Sequence, residues 1–142
     1  MTSSTTLPRP GPVGKAAAAK PLRVLYADDM KELRDLMSIV LGNEGHQLET
    51  CCNGAVACEQ LRHTPEIYDL LITDHHMPVM NGLELVREVR HLPYEGRIIV
   101  FSSELSQSVH DEYAALGVDR VLAKPVLPKE LRQLLREMFP AA

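Results

Sequence analysis

The feature of this sequence that most constrains its fold is the alternation of short apolar runs with segments of helical periodicity from Leu22 onward. Four runs have the length and composition of buried strands, at residues 22–27, 68–73, 97–101 and 120–123. A fifth run, at residues 46–52, is more polar, which is typical of an edge strand. Parallel strands need crossover connections, so this alternation predicts an α/β protein with a doubly wound parallel sheet.

The segments between the runs repeat apolar residues at helical spacing. Gly45 and Gly117 follow the first and fourth segments, where a glycine commonly ends a helix. Asn81-Gly82 leads into the third segment and Pro128 into the fifth. The chain is therefore predicted to contain five strand–helix units in succession.

Composition divides the chain into a predicted flexible N-terminal tail, residues 1–20, and one domain, residues 21–142. The tail is rich in Ser, Thr, Pro, Gly and Ala and has too little apolar surface to offset its ordering entropy. A net charge of −4 argues against general binding to nucleic acid or to an anionic membrane. Without an apolar run of membrane length or a signal peptide, the chain is expected to be cytoplasmic. Its cysteines, Cys51, Cys52 and Cys58, are expected to be reduced small hydrophobes.

Polar residues follow four of the predicted strands directly. They are Asp28-Asp29, Asp74, Ser102-Ser103 and Lys124-Pro125. Ligands bind beyond the carboxyl ends of the strands in sheets of this kind. Three clustered carboxylates repel one another unless a cation holds them, and oxygen ligands suit Mg²⁺. A carboxylate beside a metal and a lysine is also a suitable nucleophile toward phosphorus, so the pattern indicates an aspartyl-phosphate site.

Each residue also has an ordinary structural interpretation. Asp28 and Asp29 could cap the first helix, Asp74 could be a turn residue, Ser102 could cap the fourth helix, and Lys124 could be an exposed cation. Their joint placement at four strand ends of one sheet favours the shared site.

From Leu22 to Met138 the sequence resembles the receiver domain of two-component response regulators, in its stand-alone, CheY-like form. The motifs that carry the resemblance are the strand ending in Asp28-Asp29, Leu-Ile-Thr-Asp74 with Met77-Pro78-Val79-Met80-Asn81-Gly82, Val-Phe-Ser102-Ser103, and Leu-Ala-Lys124-Pro125. The resemblance implies a (βα)5 flavodoxin-like fold with a five-stranded parallel sheet in the order 2-1-3-4-5.

The resemblance also implies a role for each site residue. Asp74 would be the phosphoacceptor, and Ser102 and Lys124 would contact the phosphoryl group. A Mg²⁺ ion would be held by Asp29 directly, by Asp28 chiefly through water, by Asp74 and by the backbone carbonyl of His76. The Lys124-Pro125 bond would be cis.

By the same resemblance, the phosphoryl donor would be a sensor histidine kinase or a histidine phosphotransfer protein. The protein would then bind a downstream protein target when phosphorylated, as a monomer or a weak phosphorylation-dependent dimer. It would bind no nucleic acid directly, insert in no membrane and catalyse only its own phosphorylation and dephosphorylation. The face formed by the fourth helix, fifth strand and fifth helix would contact the target, and Leu105, Tyr113 and Arg132 are expected on this contact face. An alternative is a phosphorelay intermediate that passes the group to a downstream histidine.

A flavodoxin-like cofactor site is disfavoured, because two acids stand where a phosphate-binding loop would be needed.

Three features depart from the commonest receiver pattern. Val121 stands where an aromatic residue is frequent, so the signal is expected to travel through Ser102, the following loop and the fourth helix. His75 and His76 follow the phosphoacceptor; the His76 side chain, with Glu104, could tune access of water, or both imidazoles could point to solvent. No output domain is expected after the last helix.

Overall fold

Five parallel strands form one sheet in a computed structural model of the chain, which describes residues 20–103 and 106–141. The strands are β1 (Arg23–Ala27), β2 (Gln47–Cys51), β3 (Leu70–Asp74), β4 (Arg97–Ser102) and β5 (Arg120–Ala123). Their order across the sheet is β2-β1-β3-β4-β5, and every neighbouring pair is parallel. The predicted fold class and strand order are confirmed.

Five α-helices alternate with the strands. They are α1 (Lys31–Asn43), α2 (Gly54–His63), α3 (Gly82–Val89), α4 (Gln107–Ala115) and α5 (Pro128–Met138). One turn of 3-10 helix, Pro65–Ile67, was not predicted, because three residues carry no periodic signal. It delays the start of β3 to Leu70, two residues later than the apolar run suggested.

Residues Leu22–Val126 make one compact unit, which contains the sheet and helices α1 to α4. Helix α5 belongs to a second unit together with Lys20 and Pro21. Within that unit, the backbone N–H of Lys20 donates to the carbonyl of Phe139 at 3.1 Å. The predicted tail, apart from Lys20, lies outside the described residues.

Alternate residues of the central strands serve opposite faces of the sheet. Leu25 and Ala27 of β1 belong to a buried cluster with residues of β3, β4, α2, α3 and α4. Val24 and Tyr26 have the opposite parity and are also buried. Strand β3 is the middle strand of the five, and every one of its residues is buried. Because Asp74 is its last residue, this carboxylate lies at the middle of the sheet edge.

The polar strand β2 lies at the edge of the sheet, as predicted, and exposes three of its five residues. Among the cysteines, Cys51 and Cys58 are buried and Cys52 is exposed, and all three are free thiols. The expectation of a small buried hydrophobe is therefore wrong for Cys52 alone.

A buried hydrogen bond joins His46, just before β2, to Leu22, just before β1. We expect it to make the stability of the protein depend on pH. The His46 Nδ1 accepts a hydrogen bond from the backbone N–H of Leu22 at 3.1 Å, and the side chain is buried. Burial lowers the pKa of His46, which Glu44 partly opposes. The unfolded chain therefore takes up a proton at this residue more readily, so the free energy of unfolding falls as the pH drops below about 6.5.

We expect His46→Asn, whose amide oxygen can accept the same hydrogen bond, to reduce the loss of stability between about pH 7 and pH 5. Urea unfolding at both pH values measures the difference, with His110→Asn on the exposed face of α4 as the control. Equal pH dependence in the wild type and His46→Asn would contradict this assignment.

Candidate functional site

The three acids predicted at the strand ends form a cluster. One carboxylate oxygen from each of Asp28, Asp29 and Asp74 lies within 4.8 Å of those of the other two. Asp28 and Asp74 are buried and Asp29 is exposed, so the cluster opens to solvent on one side. Such closely spaced carboxylates fit a hard divalent cation with oxygen ligands.

The Asp28 carboxylate is fixed by two hydrogen bonds. The Tyr26 hydroxyl donates to Oδ2 at 2.6 Å, and the backbone N–H of Met30 donates to Oδ1 at 3.0 Å. Arg34 donates from Nη1 to the Asp28 backbone carbonyl at 2.8 Å. The N-cap residue of α1 is Met30, so neither Asp28 nor Asp29 caps this helix.

Lys124 forms an ion pair with Asp74. Its Nζ lies 2.9 Å from Asp74 Oδ1, and the two side chains are 21% and 4% exposed. Burial raises the pKa of Asp74, Lys124 opposes this rise, and the Asp28 charge adds to it. A buried carboxylate that has one ammonium beside it and two further acids close by fits a site that also binds a divalent cation.

The alternatives that Asp74 is a turn residue and Lys124 an exposed cation are therefore wrong. Asp74 is the last residue of β3, and Lys124 is held beside it from the end of β5. The Lys124-Pro125 peptide bond is cis, as expected.

Ser102 is the buried last residue of β4. Its backbone carbonyl accepts a hydrogen bond from the N–H of Lys124 at 2.8 Å, which joins the ends of β4 and β5. Helix α4 is capped instead by Ser106, whose hydroxyl accepts from the N–H of Val109 at 3.3 Å. The capping alternative for Ser102 is wrong.

The loop after Asp74 is held close to the strand end by Gly82. The N–H of Gly82 donates to the carbonyl of His75 at 2.8 Å, and Asn81 forms a capping box with Glu84 at the start of α3. His76 lines an open pocket together with Asp29 and Asn81. The role of the His76 backbone carbonyl as a metal ligand stays a prediction.

The two histidines after Asp74 differ in environment. His76 is exposed, whereas His75 is buried and its Nδ1 lies 2.5 Å from the hydroxyl of Tyr113 in α4. The rings of His75 and Tyr113 pack edge to face, with their centroids 5.6 Å apart. The expectation that both imidazoles point to solvent is wrong for His75.

The placement of Tyr113 on an exposed contact face is also wrong, because this side chain is fully buried. Helical spacing correctly put Tyr113 on the apolar side of its helix, but no sequence signal paired its hydroxyl with His75. Val121 is half-buried against the same core cluster. Glu104 and Leu105 lie outside the described residues.

In the part of the chain that the structure describes, no helix is long and apolar enough to span a membrane.

The chain is similar to several known proteins. Sensory/regulatory protein RpfC of Xanthomonas campestris pv. campestris is 32% identical over 128 residues, which is 86% of this chain and 17% of that protein. The chain spans 13 to 17% of the length of four such curated relatives. Three other relatives are short, and the matched region covers 87 to 98% of their length.

Two solved structures illustrate the likeness in fold. Chemotaxis response regulator CheY4 of Vibrio cholerae has a TM-score of 0.76 and 30% identity, over 84% of this chain and 100% of that one. The receiver domain of sensor histidine kinase PA1611 from Pseudomonas aeruginosa, solved with a magnesium ion in its active site cleft, has a TM-score of 0.73. It is 22% identical over 83% of this chain and 97% of that one, so this likeness concerns the fold alone.

A family model described as the response regulator receiver domain matches residues 24–136, which contain the acid cluster and the whole sheet except Arg23, the first residue of β1. The chain belongs to the response regulator receiver domain family of two-component systems.

Proposed function

We propose that this receiver domain accepts a phosphoryl group on Asp74 and signals by binding a protein target in its phosphorylated form. The observation that carries the proposal is the arrangement at Asp74. One of its oxygens lies 2.9 Å from the Lys124 ammonium, and its carboxylate belongs to a cluster with two more acids. The carboxylates can therefore hold a cation, and the Lys124 ammonium can offset the negative charge of a phosphoryl group.

In the proposed reaction, a carboxylate oxygen of Asp74 attacks the phosphorus of a phosphohistidine. The new O–P bond forms as the P–N bond breaks, and the donor histidine, protonated on its other ring nitrogen, leaves as neutral imidazole. Lys124 offsets the negative charge of the transferred group, and the hydroxyl of Ser102, which ends the adjacent strand, donates a hydrogen bond to a phosphoryl oxygen.

Mg²⁺ is the proposed cofactor. Asp28, Asp29, Asp74 and the backbone carbonyl of His76 would hold it, and when bound it supplies positive charge near the phosphoryl oxygens. The cluster of three carboxylates whose oxygens lie within 4.8 Å of one another supports this assignment, as does the magnesium recorded in the PA1611 receiver domain.

The proposed partners are a sensor histidine kinase or a histidine phosphotransfer protein, and a downstream protein target. Similarity to a sensory/regulatory protein and to short relatives is compatible with both a relay and a stand-alone switch. We propose no catalysis beyond the domain's own phosphorylation and dephosphorylation. A cytoplasmic location and a monomer or weak dimer stay predictions.

The proposal is tested by incubating the protein with Mg²⁺ and acetyl phosphate and following intact mass. We expect the mass of one phosphoryl group to be added, and reduction with borohydride to convert only Asp74 to homoserine. Omission of Mg²⁺ should leave the protein unmodified. A label on another residue, or no label at any donor concentration, would contradict the proposal.

Switch and relay are separated by mixing the labelled domain with phosphotransfer proteins. Loss of label to a partner histidine supports the relay, whereas retention of the label with phosphorylation-dependent binding of a target supports the switch.

A further inference from the structure

We propose that Tyr26 is a positioning residue whose hydroxyl orients the Asp28 carboxylate and thereby sets the affinity of the acid cluster for divalent cations. This inference rests on the proposed function in that Asp28 is taken as a cation ligand. Tyr26 was predicted only as part of the first buried strand, and no role in the site was expected of it.

The Tyr26 side chain reaches the site from within the sheet. It is the fourth residue of β1 and is 1% exposed, yet its hydroxyl donates to Asp28 Oδ2 at 2.6 Å. Its ring packs against Phe101 of β4, with centroids 6.1 Å apart and an angle of 57° between the planes. The hydroxyl is therefore held by a packed ring rather than by a mobile side chain, and a hydrogen bond to a carboxylate is among the stronger kinds.

The remaining contacts of Asp28 leave room for a cation. Its Oδ1 accepts from the N–H of Met30 at 3.0 Å, and among the described residues Tyr26 is the only side chain that donates to the carboxylate. Each carboxylate oxygen can accept about two bonds, so both keep a free site. One donor therefore bonds each carboxylate oxygen. Together they fix the orientation of the carboxylate and leave both oxygens able to bind a cation.

Repulsion explains why such a restraint is needed. Before a cation binds, Asp28 lies close to two other carboxylates, and rotation away from them would lower their mutual repulsion. The bond from Tyr26 opposes that rotation and keeps the ligand in place. Partners that orient metal ligands in this way typically contribute about 10- to 100-fold in metal affinity.

Tyr26→Phe removes the hydroxyl and keeps the ring against Phe101. Tyr68→Phe is a matched control, because the buried Tyr68 also donates to a carboxylate, that of Glu49 at 2.5 Å, but Glu49 is not part of the acid cluster. Both variants lose one hydroxyl–carboxylate bond from a buried tyrosine. Only Tyr26→Phe should change cation binding.

The measurement is Mn²⁺ binding to the unphosphorylated protein by electron paramagnetic resonance, with Mg²⁺ as competitor. We expect about 10-fold weaker binding of both ions for Tyr26→Phe, and binding within about twofold of wild type for Tyr68→Phe. Affinity of Tyr26→Phe within twofold of wild type, tighter binding, or an equal loss in Tyr68→Phe would overturn the inference.

Phosphorylation by acetyl phosphate supplies a second readout. The Mg²⁺ concentration for half-maximal rate should rise in Tyr26→Phe, while the rate at saturating Mg²⁺ returns to within about twofold of wild type. A lower rate that saturating Mg²⁺ does not restore would overturn the positioning role. Cation binding is measured without a phosphodonor, so failure of wild type to be phosphorylated would contradict the proposed function and leave this test intact.

If Tyr26→Phe does not fold, the wild-type protein with ¹³C-labelled tyrosines provides the test. Addition of Mg²⁺ should move the ring-carbon signal next to the Tyr26 hydroxyl and leave that of Tyr68 in place. An unmoved Tyr26 signal at saturating Mg²⁺ would overturn the inference.

Discussion

Asp74→Asn should reduce phosphorylation by acetyl phosphate to the background level of a protein without an acceptor. The amide is close to the carboxylate in size but carries no charge and is a poor nucleophile toward phosphorus. No other acid can take over readily, because Asp74 alone among the cluster has the Lys124 ammonium 2.9 Å from its oxygen. Intact mass measures the amount of label, and peptide mapping under acidic conditions locates any that remains.

Asp35→Asn is the control for Asp74→Asn. Asp35 is an exposed acid in α1, whose Oδ2 forms an ion pair with Lys31 at 2.7 Å. Its neutralisation changes the net charge by the same amount and should leave phosphorylation unchanged. Thermal unfolding of both variants checks that a lost label does not come from a lost fold. Wild-type levels of label in Asp74→Asn would remove the basis of the proposed function.

The gathering of the site residues could be predicted because it follows from topology. The strands whose ends carry the acids, Ser102 and Lys124 are β1, β3, β4 and β5, and these are consecutive neighbours in the sheet. Parallel direction then brings their carboxyl ends to one edge, whatever the details of the helices. The edge strand β2 ends instead in Cys51, whose carbonyl accepts from the N–H of Asp28 at 3.0 Å.

The contacts that orient the site could not be predicted in the same way. Periodicity placed Tyr26 in a buried strand and Tyr113 on an apolar helix face, and both positions are correct. A pattern of buried residues does not say where a hydroxyl at the end of a ring finds its partner. The bonds to Asp28 and His75 depend on strand register and on the approach of α4 to β3, which are properties of the folded chain.

Helix α3 approaches the end of β3 closely at Gly82, so Gly82→Ala and Gly42→Ala should change the stability of the protein in opposite directions. A Cβ added at Gly82 would lie 2.6 Å from the Asp74 carbonyl oxygen, 2.8 Å from the Tyr113 hydroxyl and 3.0 Å from His75 Cα. Two of these neighbours are backbone atoms at the site, so they cannot move without displacing it. Overpacking of this kind lowers the free energy of unfolding by about 1–3 kcal/mol.

Gly42 in α1 provides the matched comparison, because a Cβ there would meet nothing within 4 Å. Alanine loses less backbone entropy in a helix, so Gly42→Ala should raise the free energy of unfolding by about 0.5–1 kcal/mol. Urea unfolding of both variants measures the difference. Equal stabilisation by the two substitutions would mean that α3 can move away from Asp74 at no cost. A loss confined to Gly82→Ala would instead show that the close approach of α3 holds the phosphoacceptor strand end in place.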